Sequence, residues 1–320
     1  MTHVAANHIE LEYETFGDPA DPAVLLIMGL GMQLLGWPED FCRSLAAQGY
    51  FVIRFDNRDV GLSSHLDHLG KPKLLWAAMK HKLGLPIRPP YSLADMARDS
   101  LGLLDALHIQ QAHIVGASMG GMIAQLLAIQ APQRTLSLTS IMSTTGDRTL
   151  PGPTKAAQIA LLRGTPARLY HPAQREALID FLQENWRVLH SPGFETAPEM
   201  QRERIGKSLE RSIYPQGVLR QLMAVVASPD RSPLLAHITA PTLVVHGSDD
   251  PLVPIACGRD TARKIPGAQF EEILGMAHDM PPGVCARLVP LLAAHFAAAT
   301  EPTEHPAQHA QAAMQLASDA

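Results

Sequence analysis

Three residue types that together carry out nucleophilic catalysis occur along this 320-residue chain in the order serine, aspartate, histidine. Ser118 lies in GASMG, which fits the pattern G-x-S-x-G, and Asp249, Asp250 and His278 follow it. A serine hydroxyl at its ordinary pKa is a poor nucleophile, so it needs a base and a third group that orients the base. The residue types and their order therefore predict a hydroxyl nucleophile, an imidazole base and an orienting carboxylate.

Ser118 stands between a predicted strand at 112–116 and a predicted helix that runs to about 131. Such a sharp corner strains the backbone, which is tolerated when the neighbours have almost no side chain, as with Gly116, Gly120 and Gly121. The hydroxyl then lies at a helix N-terminus, where free N–H groups favour developing negative charge. The alternative, an ordinary glycine–serine turn, is disfavoured because the strand–turn–helix context is the one that the pattern requires.

The base and the acid are predicted from two later strand ends. His278 follows the predicted strand 269–274, and Asp249 and Asp250 follow the predicted strand 241–247. In open parallel sheets, reactive groups gather at the carboxyl ends of the strands, so these side chains should meet Ser118 there. The choice between the two aspartates stays open on this reasoning, because Asp250 precedes a proline and is held extended, whereas Asp249 could equally be a turn residue.

Two backbone N–H groups are predicted to form an oxyanion hole. One belongs to Met119, the residue after the candidate nucleophile. The other is assigned to Leu30 in MGLGMQ, after the predicted strand 23–28, because Gly29 and Gly31 let that backbone approach a ligand closely. A plain turn formed by these glycines is compatible with the same role.

Strands alternate with helices along the chain, which predicts an α/β fold with a mostly parallel central sheet flanked by helices. Residues 144–237 carry only helix-like segments and are predicted to be an α-helical insertion. Residues 1–143 and 238–299 are then the α/β core, and 300–320 a disordered tail. The segment 57–91 has no clear element except a predicted short helix at about 73–83. Strands are predicted at 8–16, 23–29, 50–56, 112–116, 136–143, 241–247 and 269–274. Helices are predicted at 40–49, 254–267 and 283–299, and a further helix is predicted to begin at the capping-box pair of residues 92 and 95.

Composition narrows the possible partners. The net charge of -5 argues against nucleic acid as the main partner. The N-terminus does not match a signal peptide and no apolar run reaches the length of a membrane span, so a cytoplasmic protein without a membrane partner is expected. The three cysteines are too few and too widely spaced for a disulfide framework, and the fifteen histidines match no metal-ligand motif. We therefore expect neither a metal nor a cofactor.

Three segments, FGDPADPAVLLIMG, GWPEDF and VIRFDNRDVGLSS, resemble the aclacinomycin methylesterase branch of bacterial esterases in the α/β-hydrolase superfamily. The resemblance covers about 8–143 and 236–298, and it implies an α/β-hydrolase fold whose helical insertion, after the sixth strand, is a cap. The family motif H-G-x-x-D-P falls on 246–251, which implies that Asp250 is the acid. The motif G-x-x-H ends at His278, and the family's two oxyanion donors fall on Leu30 and Met119.

The resulting hypothesis is a serine carboxylesterase that hydrolyses esters of small to medium molecules through an acyl-enzyme. An acyltransferase, a perhydrolase or a hydrolase of C–C or lactone bonds could use the same triad, because the triad does not encode what attacks or leaves. A non-catalytic ligand-binding protein on the same fold is disfavoured, since all three triad residue types are present. The charged run 56–59, which also follows a strand, is predicted to hydrogen-bond its loop rather than to catalyse.

Overall fold

The computed structural model describes residues 2–73, 76, 79–80, 83 and 85–300. Within them, eight strands form one sheet with helices on both faces. The strands are β1 (Thr2–Ala6), β2 (Ile9–Phe16), β3 (Ala23–Ile27), β4 (Phe51–Phe55), β5 (Ala112–Ala117), β6 (Thr135–Ile141), β7 (Thr242–Gly247) and β8 (Gln269–Ile273). The α-helices are α1 (Glu39–Ala46), α2 (Leu93–Ala106), α3 (Met119–Gln130), α4 (Lys155–Leu162), α5 (Arg175–Trp186), α6 (Pro198–Arg211), α7 (Pro215–Ala227), α8 (Ser232–Leu235), α9 (Ile255–Lys264) and α10 (Pro282–Thr300). Short 3₁₀ turns occur at Leu34–Gly36, Asp67–Leu69, Pro132–Arg134, Ala167–Tyr170, Pro172–Gln174 and Arg187–Leu189.

The strand order across the sheet is β1-β2-β4-β3-β5-β6-β7-β8. β1 pairs with β2, and β2 with β4, in antiparallel fashion, whereas every pairing from β4 to β8 is parallel. All residues of β3, β4, β5 and β7 are buried, as expected for strands that have helices above and below them. The carboxyl ends of β5, β7 and β8 therefore face the same edge of the sheet, which confirms the predicted fold class.

Apolar residues form a core on each face of the sheet. On one face, α2 and α3 pack against the strands through residues such as Met96 and Ile123. On the other face, α1 and α10 pack through residues such as Leu45 and Leu288. Helix α10 is long and apolar enough to cross a membrane by length and composition. Its Leu292 and Phe296 are fully buried in the core, so packing against the sheet accounts for its composition.

Local sequence signals explain several element boundaries. Ser92 and Asp95 form the predicted capping box: the Asp95 N–H donates to Ser92 Oγ (3.2 Å) and the Ser92 N–H donates to Asp95 Oδ2 (2.7 Å). The structure adds β1, which the sequence reading missed because only the last of its five residues is buried, so no apolar pattern marks it. Helix α10 includes Thr300, the first residue of the predicted tail.

Two predictions fall on residues that the structure does not describe. Residues 74, 75, 77, 78, 81 and 82 of the predicted helix at about 73–83 lie outside the described residues, and so does the predicted tail after residue 300. Between β6 and β7 the described chain contains helices α4 to α8 and no strand. The division of the chain into a core and a helical cap stays a prediction. We refer to residues 144–237 as the cap.

Candidate active site

Ser118 occupies a strained corner between β5 and α3. Its backbone angles are φ 56° and ψ -120°, a conformation that costs energy for any residue with a side chain. The corner is held from both sides, because the Ser118 N–H donates to the Ile141 carbonyl (2.9 Å) and the Ser118 carbonyl accepts from the Gly121 N–H (3.0 Å). The surroundings thus fix the position from which the hydroxyl emerges.

The glycines around Ser118 are required by close backbone contacts. A Cβ added to Gly116 would lie 2.2 Å from the Gly120 carbonyl oxygen. A Cβ on Gly120 would lie 2.0 Å from the carbonyl oxygen of Ile27, at the end of β3. Any larger residue at either position would push α3 away from the strands, so these glycines bring the helix N-terminus to the sheet edge.

The three predicted side chains form a continuous chain of hydrogen bonds. His278 Nε2 lies 2.9 Å from Ser118 Oγ, and His278 Nδ1 lies 2.7 Å from Asp250 Oδ2. The other carboxylate oxygen, Asp250 Oδ1, accepts from the N–H groups of Leu252 (2.9 Å) and Val253 (2.8 Å). The Asp250 carboxylate is fully buried and the His278 side chain is 8% exposed. This geometry can pass a proton from the hydroxyl to the imidazole while the carboxylate holds the ring.

The two adjacent aspartates have different surroundings. Asp249 is exposed, and its Oδ2 accepts a hydrogen bond from Ser248 Oγ (2.5 Å). Asp250 points inward to His278 and lies next to His246, whose Nε2 is 3.6 Å from Asp250 Oδ2. Burial lowers the pKa of His246, and its Nε2 donates to the Val253 carbonyl (2.7 Å), as expected for a neutral imidazole.

The two predicted oxyanion donors lie on backbone segments that adjoin Ser118. Met119 is the first residue of α3, so its N–H has no partner within the helix. The loop after β3 touches the serine, since a Cβ on Gly29 would lie 3.1 Å from Ser118 Cβ. Leu30 follows directly in that loop and is only partly buried. The assignment of these two N–H groups as donors to an oxyanion stays a prediction.

The Gly29–Leu30 peptide, which carries the Leu30 N–H, lies between two peptides that side chains hold in place. Asn57 Nδ2 donates to the Met28 carbonyl (2.9 Å), and Gln221 Oε1 accepts from the Gly31 N–H (2.8 Å). Gln221 belongs to α7 of the cap and also donates from Nε2 to a carbonyl of the core (2.7 Å). The cap thus helps to set the orientation of the Leu30 peptide.

The charged run 56–59 hydrogen-bonds its loop, as predicted, and also binds the cap. Asp56 Oδ2 accepts from the Leu62 N–H of the same loop (2.9 Å) and from Arg211 of α6 (2.9 Å). Asp59 makes two hydrogen bonds with Arg220 of α7 (2.7 and 2.8 Å), and both side chains are fully buried. Burial raises the pKa of Asp56. Burial is the largest influence on the pKa of Asp59 and acts to raise it, but the hydrogen bonds from Arg220 and the Leu66 N–H and the charge of Arg220 together lower the pKa below its ordinary value.

Sequence reasoning did not identify the cap residues that contact the core near the site. Gln221, Arg220 and Arg211 belong to no motif, and their partners lie more than a hundred residues away in the chain. The sequence carries no local signal for them, because their burial depends on where the cap docks. Among the described residues, no group of three or more His, Cys, Asp or Glu side chains is arranged to hold a metal ion.

Known proteins resemble this chain over most of its length. A family model described as alpha/beta hydrolase fold matches residues 22–281. The chain is 32% identical over 317 residues to rhodomycin D methylesterase DauP of Streptomyces sp. (strain C5), covering 93% of this chain and 98% of that protein. It is 31% identical over 315 residues to rhodomycin D methylesterase DnrP of Streptomyces peucetius, with the same coverage.

Solved structures share the fold at lower sequence identity. A meta-cleavage product hydrolase of Pseudomonas fluorescens IP01 superposes with a TM-score of 0.71 at 19% identity, covering 94% of this chain and 98% of that one. The enol-lactonase of Burkholderia xenovorans LB400 superposes with a TM-score of 0.64 at 21% identity, covering 92% of this chain and 100% of that one. At these identities the likeness concerns the fold alone.

Proposed function

The chain belongs to the alpha/beta hydrolase family and is a carboxylic ester hydrolase, and we propose that Ser118, His278 and Asp250 are its catalytic triad. The observation that carries this proposal is the continuous chain of hydrogen bonds from Ser118 Oγ through the His278 ring to the buried Asp250 carboxylate. A serine at a strained strand–helix corner with an imidazole in contact is the arrangement that acyl transfer requires.

In the first half of the reaction, Ser118 Oγ attacks the ester carbonyl and His278 Nε2 takes the hydroxyl proton. The carbonyl oxygen becomes an oxyanion, and we propose that the backbone N–H groups of Leu30 and Met119 donate hydrogen bonds to it. His278 then gives its proton to the departing alkoxide, so an alcohol leaves and an acyl-enzyme remains. Asp250 keeps the His278 Nδ1–H directed toward itself and stabilises the imidazolium.

In the second half, water takes the place of the alcohol. His278 Nε2 accepts a proton from the water as its oxygen attacks the acyl carbonyl, and the same two N–H groups stabilise the second oxyanion. Collapse of this intermediate returns the proton to Ser118 Oγ and releases the carboxylic acid. Every proton is carried by the triad itself.

We propose methyl esters as the substrate class, because two relatives with nearly complete coverage are named methylesterases. A second candidate is C–C bond or lactone hydrolysis with the same triad. A 2-hydroxy-6-oxononadienedioate/2-hydroxy-6-oxononatrienedioate hydrolase of Paraburkholderia xenovorans is 32% identical over 275 residues. Comparing a panel of methyl esters, including bulky ones, with a vinylogous C–C substrate and an enol-lactone separates the two.

We further propose that the protein is cytoplasmic and works on a small-molecule ester without a nucleic-acid or membrane partner. The net charge of -5 supports the absence of a nucleic-acid partner, because proteins that bind nucleic acid have a basic surface. Cell fractionation with an antibody to the untagged protein tests the location, and recovery in the membrane pellet would contradict it.

The test of the triad combines Ser118→Ala with a fluorophosphonate probe. The wild-type protein should be labelled at Ser118, and Ser118→Ala should remain unlabelled and lose about 10⁵- to 10⁶-fold in kcat. Ser232→Ala is a matched control, because Ser232 Oγ accepts from Lys264 (2.7 Å) rather than from the triad. A loss of less than tenfold in Ser118→Ala would assign the nucleophile elsewhere.

A further inference from the structure

A short piece of the cap lies directly against the loop that carries His278. We call residues 189–194 the clasp. Its Leu189 carbonyl accepts from the His278 N–H (3.1 Å), and its Ser191 Oγ accepts from the Ala277 N–H (2.8 Å). The same hydroxyl donates to Asp279 Oδ1 (2.5 Å), which also accepts from the Ser191 N–H (3.1 Å). Three consecutive residues of the loop, with His278 in the middle, are therefore bonded to the clasp.

The clasp and the loop also meet through two glycines. The Gly193 N–H donates to the Gly275 carbonyl (2.9 Å). A Cβ on Gly193 would lie 2.8 Å from Gly275 Cα, and a Cβ on Gly275 would lie 2.7 Å from Gly193 Cα. Gly275 moreover has φ +76°, a conformation that favours glycine. The two backbones approach this closely only because neither residue has a side chain.

The far end of the clasp is anchored in the core. Phe194 packs against the apolar cluster beneath α10. Its ring contacts Gly283, where a Cβ would lie 2.7 Å from Phe194 Cδ1, and the guanidinium of Arg287 stacks over it at 5.2 Å. The clasp is thus fixed at its C-terminal end independently of the loop that it holds.

We propose that Ser191 is a positioning residue of the reaction, which holds His278 in register with Ser118 through its bonds to Ala277 and Asp279. This inference rests on the proposed function, since it assigns a purpose to the position of His278. Ser191 is buried and its hydroxyl uses both its donor and its acceptor capacity on the two neighbours of His278. Burial raises the pKa of the Asp279 carboxyl, and the bonds from Ser191 oppose that shift, so the hydroxyl also compensates the buried carboxylate.

The rate of the reaction depends on how well His278 is aligned with Ser118. His278 Nε2 lies at hydrogen-bonding distance from Ser118 Oγ, and its ring is carried by a loop rather than by a strand or helix. A displacement of about 1 Å in a reacting group costs on the order of 100-fold in rate. Removing the Ser191 hydroxyl leaves the Ala277 N–H without its acceptor and frees the loop to shift. The substrate itself need not be bound less tightly.

The experiment compares Ser191→Ala and Ser191→Thr with wild type, using a methyl ester or p-nitrophenyl ester that the wild type hydrolyses. Active sites are counted by fluorophosphonate labelling to completion, so that unfolded protein does not enter the rate. We expect kcat per labelled site to fall about 10- to 100-fold in Ser191→Ala with KM changed less than about threefold. Ser191→Thr keeps a hydroxyl and should recover most of the rate.

Thr149→Ala is the matched control, because Thr149 is an exposed cap residue whose hydroxyl donates to Asp147 (2.7 Å) in the same kind of bond. It should keep the wild-type kcat. Proton NMR supplies a readout that a merely structural role would not move. The downfield resonance of the imidazole N–H between His278 and Asp250 should shift or broaden in Ser191→Ala and stay unchanged in Thr149→Ala.

If Ser191→Ala does not fold, Ser191→Cys replaces it, since a thiol fills the same space but is a weak donor and acceptor. An unchanged kcat per labelled site and an unchanged imidazole resonance in the folded variant would overturn the positioning role while leaving the triad in place. A wild-type protein that is neither labelled nor active on esters would instead overturn the proposed function.

Discussion

The exchange Asp250→Asn tests the acid of the triad, because it replaces one carboxylate oxygen with an NH₂ group and keeps the size of the side chain. The Oδ1 position of Asp250 receives two backbone N–H groups, from Leu252 and Val253, and the Oδ2 position faces His278 Nδ1 at 2.7 Å. An Asn at 250 must therefore direct its carbonyl oxygen to the two N–H groups and its NH₂ group to His278. The imidazole would then accept at Nδ1 and carry its proton on Nε2, where it cannot take the proton of Ser118.

The size of the effect follows from the same contacts. The opposite amide orientation would bring the NH₂ group against two N–H donors and leave both unsatisfied, at about 1–3 kcal/mol each, or roughly 2–6 kcal/mol in all. The productive orientation would then be about 30- to 2 × 10⁴-fold less populated, at about 1.4 kcal/mol for each factor of ten. Loss of the negative charge that stabilises the imidazolium adds to this, so we expect kcat to fall about 10³- to 10⁴-fold.

The assay is steady-state ester hydrolysis, with Asp249→Asn as the matched control. Asp249 is exposed and bonds only to Ser248 among the contacts described for its side chain, so its variant should keep activity within about threefold. Thermal unfolding by circular dichroism verifies that both variants are folded. Asp250 is not the acid if Asp250→Asn keeps more than a tenth of the wild-type kcat, or if Asp249→Asn is the more damaged of the two variants.

Three further predictions concern the cap and the core. Gln221→Leu removes the acceptor of the Gly31 N–H beside the proposed oxyanion hole, so kcat should fall about tenfold. An unchanged kcat would show that Gln221 does not help to position the oxyanion hole. Arg220→Met removes the guanidinium that pairs with the fully buried Asp59 and should lower the free energy of unfolding by about 3–5 kcal/mol in urea titrations. A loss below about 1 kcal/mol would contradict a stabilising role of this ion pair. Burial lowers the pKa of His113 from its ordinary value of 6.5 to about 4. The unfolded chain therefore binds this proton first, and stability should fall by about 3 kcal/mol as the pH drops from 6.5 to 4. His113→Gln should flatten the pH dependence measured by denaturant unfolding in that window, and an equal slope in both proteins would argue against the assignment.

Local chemistry explains why so much of the central site was predictable. The corner at Ser118 depends on residues within a few positions of it, and Gly116 and Gly120 are required there by contacts that the pattern itself implies. The sheet was predictable because β3 and β5 are buried on both faces and read as continuous apolar runs. By contrast, β1 lies at an exposed edge, where no periodic burial marks the sequence.

The contacts between cap and core could not be predicted in this way. Ser191 meets the His278 loop across 86 to 88 positions of the chain, and Gln221 meets Gly31 across 190. Each is a single polar residue on a segment of the cap. The apolar residues of such a segment predict that the segment is packed, but they do not predict what its polar side chains contact. Whether such a side chain is solvated or bonded to the site depends on where the cap docks.

The amino-acid sequence alone determined the order of the reactive residue types, the strand–helix alternation and the glycines that open the corner at Ser118, because each is encoded by neighbours in the chain. The resemblance favoured Asp250 over Asp249, and the tertiary structure shows the Asp250 carboxylate turned inward to His278. Only the tertiary structure decided which cap residues hold that loop and the loop at Leu30. The physical reason is that a hydrogen bond is a short-range contact. Two groups distant in the chain form one only after the fold has brought their backbones together.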